Sequence, residues 1–210
     1  MDVQIMKLDD SFTTAEELHK TIVGSADAIM RSLGTVINNL STHWVSSDAT
    51  IHINHLIEGY NRFGMLFESL FQVSNNTVGF LVDMQTIRSK TGGKTDIGQR
   101  VTDVYTHKAI NSIPNTKEYR YDDAVVTDYN NLVQIDSFFD GFIHKVKDTS
   151  DQLLLNWKKG HGRDETEYNY EEFTRLAAEL KKYMEDTITE LKTMKGNVEN
   201  NISEQQALTK

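Results

Sequence analysis

The chain has 210 residues, 38% of them hydrophobic, enough to bury a sizeable core. Its net charge of −9 leaves no basic face for nucleic acid or for an anionic membrane surface. With no cysteine, disulfides, thiolate metal sites and cysteine nucleophiles are excluded.

The first residues, Met1 to Met6, carry neither a positive n-region nor a long apolar run, so no secretory signal peptide is expected. No window approaches the roughly 20 apolar residues a bilayer span needs. The expectation is a protein without stable membrane insertion. If it leaves the cell, it does so without a cleaved signal peptide.

From about Ser11 the chain is amphipathic. Ile22, Ala26, Ile29, Leu33, Val36, Leu40 and Trp44 recur at steps of three or four, which keeps one stripe on one helix face. Thr13 followed by Glu16 has capping-box spacing at its start. After Trp44 comes a short break, Val45-Ser46-Ser47-Asp48, whose serines and aspartate suit the N-cap of a second helix. That helix is predicted over about 49–89, with a stripe through Ile53, Ile57, Tyr60, Phe63, Phe67, Leu70, Phe71, Val78 and Leu81.

Residues 90–121 break the pattern. Gly92-Gly93 marks a turn and Pro114 stops any nearby helix. The segment reads as an ordered connector with a short helix near Ile97 to Lys108. Two loosely alternating stretches, Val3 to Leu8 and Glu118 to Tyr121, suggest strands that pair with each other as a small β-ribbon.

The third helix repeats the first. Ile135, Phe139, Phe142, Val146, Thr149, Leu153 and Trp157 follow the same steps, with Thr149 the one polar lapse. The break after Trp157 is longer, and Gly160 or Gly162 can supply a left-handed residue there. Asp164 with Glu167 has the spacing to cap a fourth helix over about 167–200, whose stripe is Tyr170, Phe173, Leu176, Leu180, Met184, Leu191, Met194 and Val198.

Trp44 and Trp157 stand 113 residues apart, and that offset superposes apolar on apolar residues through both halves. Asp9 and Asp10 fall on Asp122 and Asp123 under the same shift. This is the signature of an internal duplication constrained only at its core positions. The expected fold is all-α: two helical hairpins packed as an antiparallel four-helix bundle, since each hairpin covers the apolar face of the other. The units are a first hairpin at 1–89, a connector at 90–121 and a second hairpin at 122–210.

A hairpin of two long helices with a tryptophan at the turn resembles the WXG family, the small early-secreted-antigen-like substrates of bacterial type VII (ESX) secretion. The resemblance covers roughly 1–89 and 122–210. The family pattern is tryptophan, any residue, glycine. Here the turns read Trp44-Val45-Ser46 and Trp157-Lys158-Lys159-Gly160, so serine replaces glycine in one and the glycine comes one residue late in the other. Serine is acceptable where the turn needs no positive φ.

The family forms dimeric four-helix bundles, and this chain looks like two such units fused. The resemblance therefore implies a monomeric, non-enzymatic single-chain mimic of the dimer. It would be a secreted substrate or the co-secreted partner of a larger effector, meeting the secretion ATPase, the effector or another WXG-like protein. The alternative is a cytoplasmic targeting chaperone or adaptor that binds the helical N-terminal region of an effector. The family's export signal, tyrosine and an acidic residue four positions on, is matched by Tyr168 with Glu172 and by Tyr119 with Asp123. Neither lies in the tail from Gly196, which has no tyrosine.

Other chemistry is sparse. Glu16 with His19 has di-iron spacing, but the corresponding positions hold Tyr129 and Leu132. His52 and His55 lie on one helix without a completing pair, and a solvated face accounts for both sets. Gly160-His161-Gly162 is turn chemistry, because no Gly-x-x-x-x-Gly-Lys surrounds it. Glu165, Glu167, Glu171 and Glu172 form a solvated acidic face. No metal, cofactor or catalytic constellation is expected. A membrane-active toxin would need a longer apolar run than Phe80-Leu81-Val82.

Overall fold

A computed structural model describes residues 5–94 and 96–208, with side chains described from Met6 to Gly196 apart from residue 95. It is an all-α fold of four helices: α1 (Leu8–His43), α2 (Ser47–Lys90), α3 (Val125–Asn156) and α4 (His161–Leu208). Each helix packs on two others, in the ring order α1, α2, α4, α3. All four adjacent pairs run antiparallel, and one hydrophobic cluster draws on every helix.

The predicted stripes are the buried faces. Ile22, Ala26, Ile29, Leu33, Val36 and Leu40 are buried on α1, and Phe139, Phe142, Val146 and Leu153 on α3. Thr149 is buried too, and its hydroxyl donates to the Lys145 carbonyl (2.8 Å), so the polar lapse is satisfied within its own helix. At the centre Phe63 meets Phe139 edge-on at 5.0 Å and Phe173 at 5.7 Å, tying α2, α3 and α4 together. Val198, the last predicted stripe member, lies outside the described side chains.

Several predicted helix starts move. The first helix begins at Leu8, so Thr13 is already inside it and its hydroxyl donates to the Asp9 carbonyl. The fourth begins at His161, and Glu167 accepts from Arg163 instead of capping with Asp164. At the start of α2 the expected cap forms: Ser46 Oγ accepts from the Ala49 N–H at 3.0 Å.

The two pre-helix strands do not pair with each other. β1 (Ile5–Met6) pairs antiparallel with β4 (Trp157–Lys159), and β3 (Arg120–Tyr121) with β2 (Trp44–Val45). Val3 and Gln4, at the start of the predicted strand, lie outside the described residues. The reason is directional. α1 and α3 are antiparallel, so their N-termini sit at opposite ends of helices that each run about 50 Å at 1.5 Å per residue. Each strand meets the tryptophan turn of the other hairpin instead. The same reciprocity appears in two single bonds, Lys7 N–H to the Asn156 carbonyl and Asp122 N–H to the His43 carbonyl. They place Asp122 in the same relation to the opposite turn as Lys7, two residues out of the register in which Asp9 falls on Asp122.

Among the described residues of the connector beyond α2 there is no helix; residues 96–119 are irregular. They run back along the α1/α2 seam, antiparallel to α2. Contacts pass in turn from Gln85 with Gly98 to Asn75 with Asp103, Asn61 with Ile110 and Asn54 with Ile113. An extended chain is what the distance requires. The span must be returned along α2 in half as many residues as the helix uses, and a strand rises about twice as far per residue as a helix.

Candidate functional site

Each tryptophan caps the C-terminus of its helix in extended conformation. Trp44 N–H bonds the Leu40 carbonyl and Trp157 N–H bonds the Leu153 carbonyl. Both indoles are 1% exposed. Trp44 stacks with His52 at 6.0 Å, and Trp157 lies parallel to Phe80 at 5.4 Å, reaching across from its own hairpin to α2. The two turns lie at opposite ends of the molecule, so they form two related sites and not one joint site.

The turns differ where their sequences differ. Ser46 has φ −167°, ordinary extended backbone, and therefore needs no glycine. Gly160 has φ +138°, a conformation side chains avoid. The longer second break thus requires its glycine, and the helix that follows begins one residue later in the repeat.

Tyr168 and Glu172 share an outer face of α4. Tyr168 is 67% exposed, while Glu172 is bonded to Arg175, whose guanidinium holds the carboxyl below its ordinary range. Tyr119 is also exposed.

Two polar constellations were not read from the sequence. His19, assigned above to a solvated face, is 3% exposed. Its Nδ1 is 2.8 Å from Ser74 Oγ and its Nε2 is 2.8 Å from Asp103 Oδ2. A carboxylate only accepts, so Nε2 carries a hydrogen, and in the neutral ring Nδ1 accepts from the serine. Serine, histidine and aspartate thus stand in a line, but with the ring reversed relative to a hydrolase triad, where serine faces Nε2. Ser74 is itself buried. The three residues act as a clamp joining α1, α2 and the connector. At the Trp44 end, buried Asp128 accepts from Asn39 Nδ2 (3.0 Å) and lies 2.7 Å from His43 Nδ1. It sits in the first turn of α3, where the helix dipole favours a carboxylate, against the last turn of α1.

Glu16 pairs with Lys20, His52 stacks on Trp44, and His55 stacks on Tyr183. Among the described residues no cluster of three or more His, Asp or Glu is placed to hold a metal.

His107 of the connector presses onto α2 where Gly64 provides the space. A Cβ there would lie 2.0 Å from the ring. Burial pushes the imidazole pKa below its ordinary value, with the charge of Glu68 opposing. A neutral ring is therefore favoured in the folded chain. Its contribution is complete above about pH 6.5 and declines as the pH falls below that value. His107→Asn should accordingly show a smaller loss of melting temperature between pH 7.5 and 5 than the wild-type chain. Equal losses would contradict the assignment.

Comparison of the chain with known protein families, curated proteins and solved structures finds no match.

Proposed function

We propose that this chain is a non-enzymatic type VII secretion protein, a single-chain counterpart of a WXG dimer that is exported or accompanies an effector. The observation that carries this reading is the reciprocal pair of tryptophan turns. Each indole is buried at the tip of a hairpin, and each turn is bridged by the strand leading into the opposite hairpin. A pair of subunits would have to find this arrangement by association. Here a covalent connector supplies the second hairpin at high effective concentration, which removes any dependence on protein level. In this reading an exposed Tyr168 is available to the secretion machinery, and the chain's partners are the secretion ATPase and a larger effector. No described helix is long and apolar enough to cross a membrane, which weighs against a pore-forming role.

The adaptor reading also has an observation in its favour. Tyr168 and Glu172 lie within α4, not beyond it, and Glu172 is engaged by Arg175. A protein so built would escort an effector and remain in the cytoplasm. Culture supernatants from strains with and without the secretion ATPase separate the two. Appearance of the chain outside the cell only when the ATPase is present is the expected result. Retention inside, with effector export lost when the chain is deleted, would establish the adaptor.

A further inference from the structure

α2 carries a ruler for extended chain. Asn54, Asn61, Glu68 and Asn75 are spaced by seven residues, and each holds the connector by its main chain. Asn54 Oδ1 accepts from the Ile113 N–H (2.8 Å) while its Nδ2 donates to the Ile113 carbonyl (3.0 Å). Asn61 holds Ile110 in the same two-point manner, at 2.9 and 2.8 Å. Glu68 accepts from the His107 N–H, and Asn75 Nδ2 donates to the Asp103 carbonyl (2.7 Å). A heptad of helix advances about 10.5 Å and three residues of a three-per-turn extended chain about 9.3 Å, so the grips at Ile113, Ile110 and His107 keep step with a chain of that kind, and the fourth, at Asp103, follows after four residues. The two asparagines each hold the N–H and the carbonyl of a single residue, a contact that reads backbone and tolerates varied side chains.

The side-chain seats are shallow by comparison. Val101, Tyr105, Ile110 and Ile113 are only half-buried, and Val104 points to solvent. Arg100 pairs with Asp83, which with Glu68 gives the groove an acidic lining. Among the described residues the second hairpin shows no such ladder. Lys181, the counterpart of Glu68, instead spans its seam to Asp136 and Asp140.

We propose that the α1/α2 seam is a receptor groove for an extended segment of a partner protein, and that the connector is an internal stand-in which the partner displaces. The segment it fits has no proline at three positions spaced by three, where N–H groups are gripped. It places an aromatic or imidazole ring over Gly64 and a basic residue toward Asp83. This inference does not depend on the secretion reading.

The test uses a fluorescent peptide of the connector sequence, residues 99–115, added to full-length protein. The comparison protein is a full chain loosened only on the connector side, by Asp103→Ala, Tyr105→Ser and His107→Ala. The loosened chain should bind at least about tenfold more tightly than wild type, because the groove is free for a larger fraction of the time. Adding Asn54→Ala and Asn61→Ala should abolish binding, as should proline at peptide positions 107, 110 and 113. Equal binding to both chains, binding that survives the asparagine changes, or no binding to a loosened chain with intact helical circular dichroism would overturn the proposal. If the loosened chain unfolds, amide exchange of the wild-type chain decides. Exchange at His107, Ile110 and Ile113 much faster than in α2 supports displacement, and exchange at the α2 rate overturns it.

Discussion

Trp44→Ala and Trp157→Ala should each destabilise the chain by roughly 3–5 kcal/mol, the range for deleting a fully buried large aromatic side chain. At about 2–4 °C per kcal/mol for a protein of this size, the melting midpoint falls on the order of 10 °C. Each ring closes one end of the core, and its backbone also anchors a two-residue bridge to the opposite hairpin. At Trp157 the parallel contact with Phe80 is lost as well, which loosens α2 against the second turn. Tyr168→Ala is the matched control. Its ring is largely in solvent, so the change should stay within about 0.5 kcal/mol. Thermal melts of the three variants decide the matter, and a tryptophan loss no larger than that of the control would remove the core assignment.

Separating the hairpins should have a still larger effect. Fragments 1–90 and 121–210 should fail to fold alone and should assemble one-to-one when mixed. Two of the three ring partners of Phe63, Phe139 and Phe173, lie on the other fragment, and α1 packs along α3 as α2 packs along α4. Cutting the chain exposes both faces at once, and a lone two-helix hairpin of this composition has no second layer to bury them. Extending the first fragment to residue 118 should raise its stability, because the connector then covers the α1/α2 seam. Sedimentation and circular dichroism of the separate and mixed fragments measure this. Two well-folded monomers that ignore each other would refute a shared core.

The main features of the fold were legible in the chain because they rest on local spacing. A step of three or four puts Ile22 through Trp44 on one face whatever lies opposite. The same spacing recurring at Ile135 through Trp157 implies a second layer to cover the first. The tryptophan positions of the candidate site were equally visible. Ser46 was legible in part: its capping chemistry is local, but its extended φ belongs to the turn as folded.

The polar half of the architecture was hidden for a corresponding reason. Asn54, Asn61, Glu68 and Asn75 sit outside the apolar stripe, and in sequence such residues are indistinguishable from a solvated face. What they hold is main chain some 30 to 60 residues away, and main chain leaves no mark in the pattern of side chains. His19 is hidden likewise, since its partners Ser74 and Asp103 come from two other segments. Local spacing alone was enough to place four helices and their stripes, because periodicity is a property of one segment at a time. That the connector lies extended in the first hairpin's seam, and that each leading strand joins the opposite turn, follows instead from long-range packing. Those outcomes depend on which ends the antiparallel packing brings together.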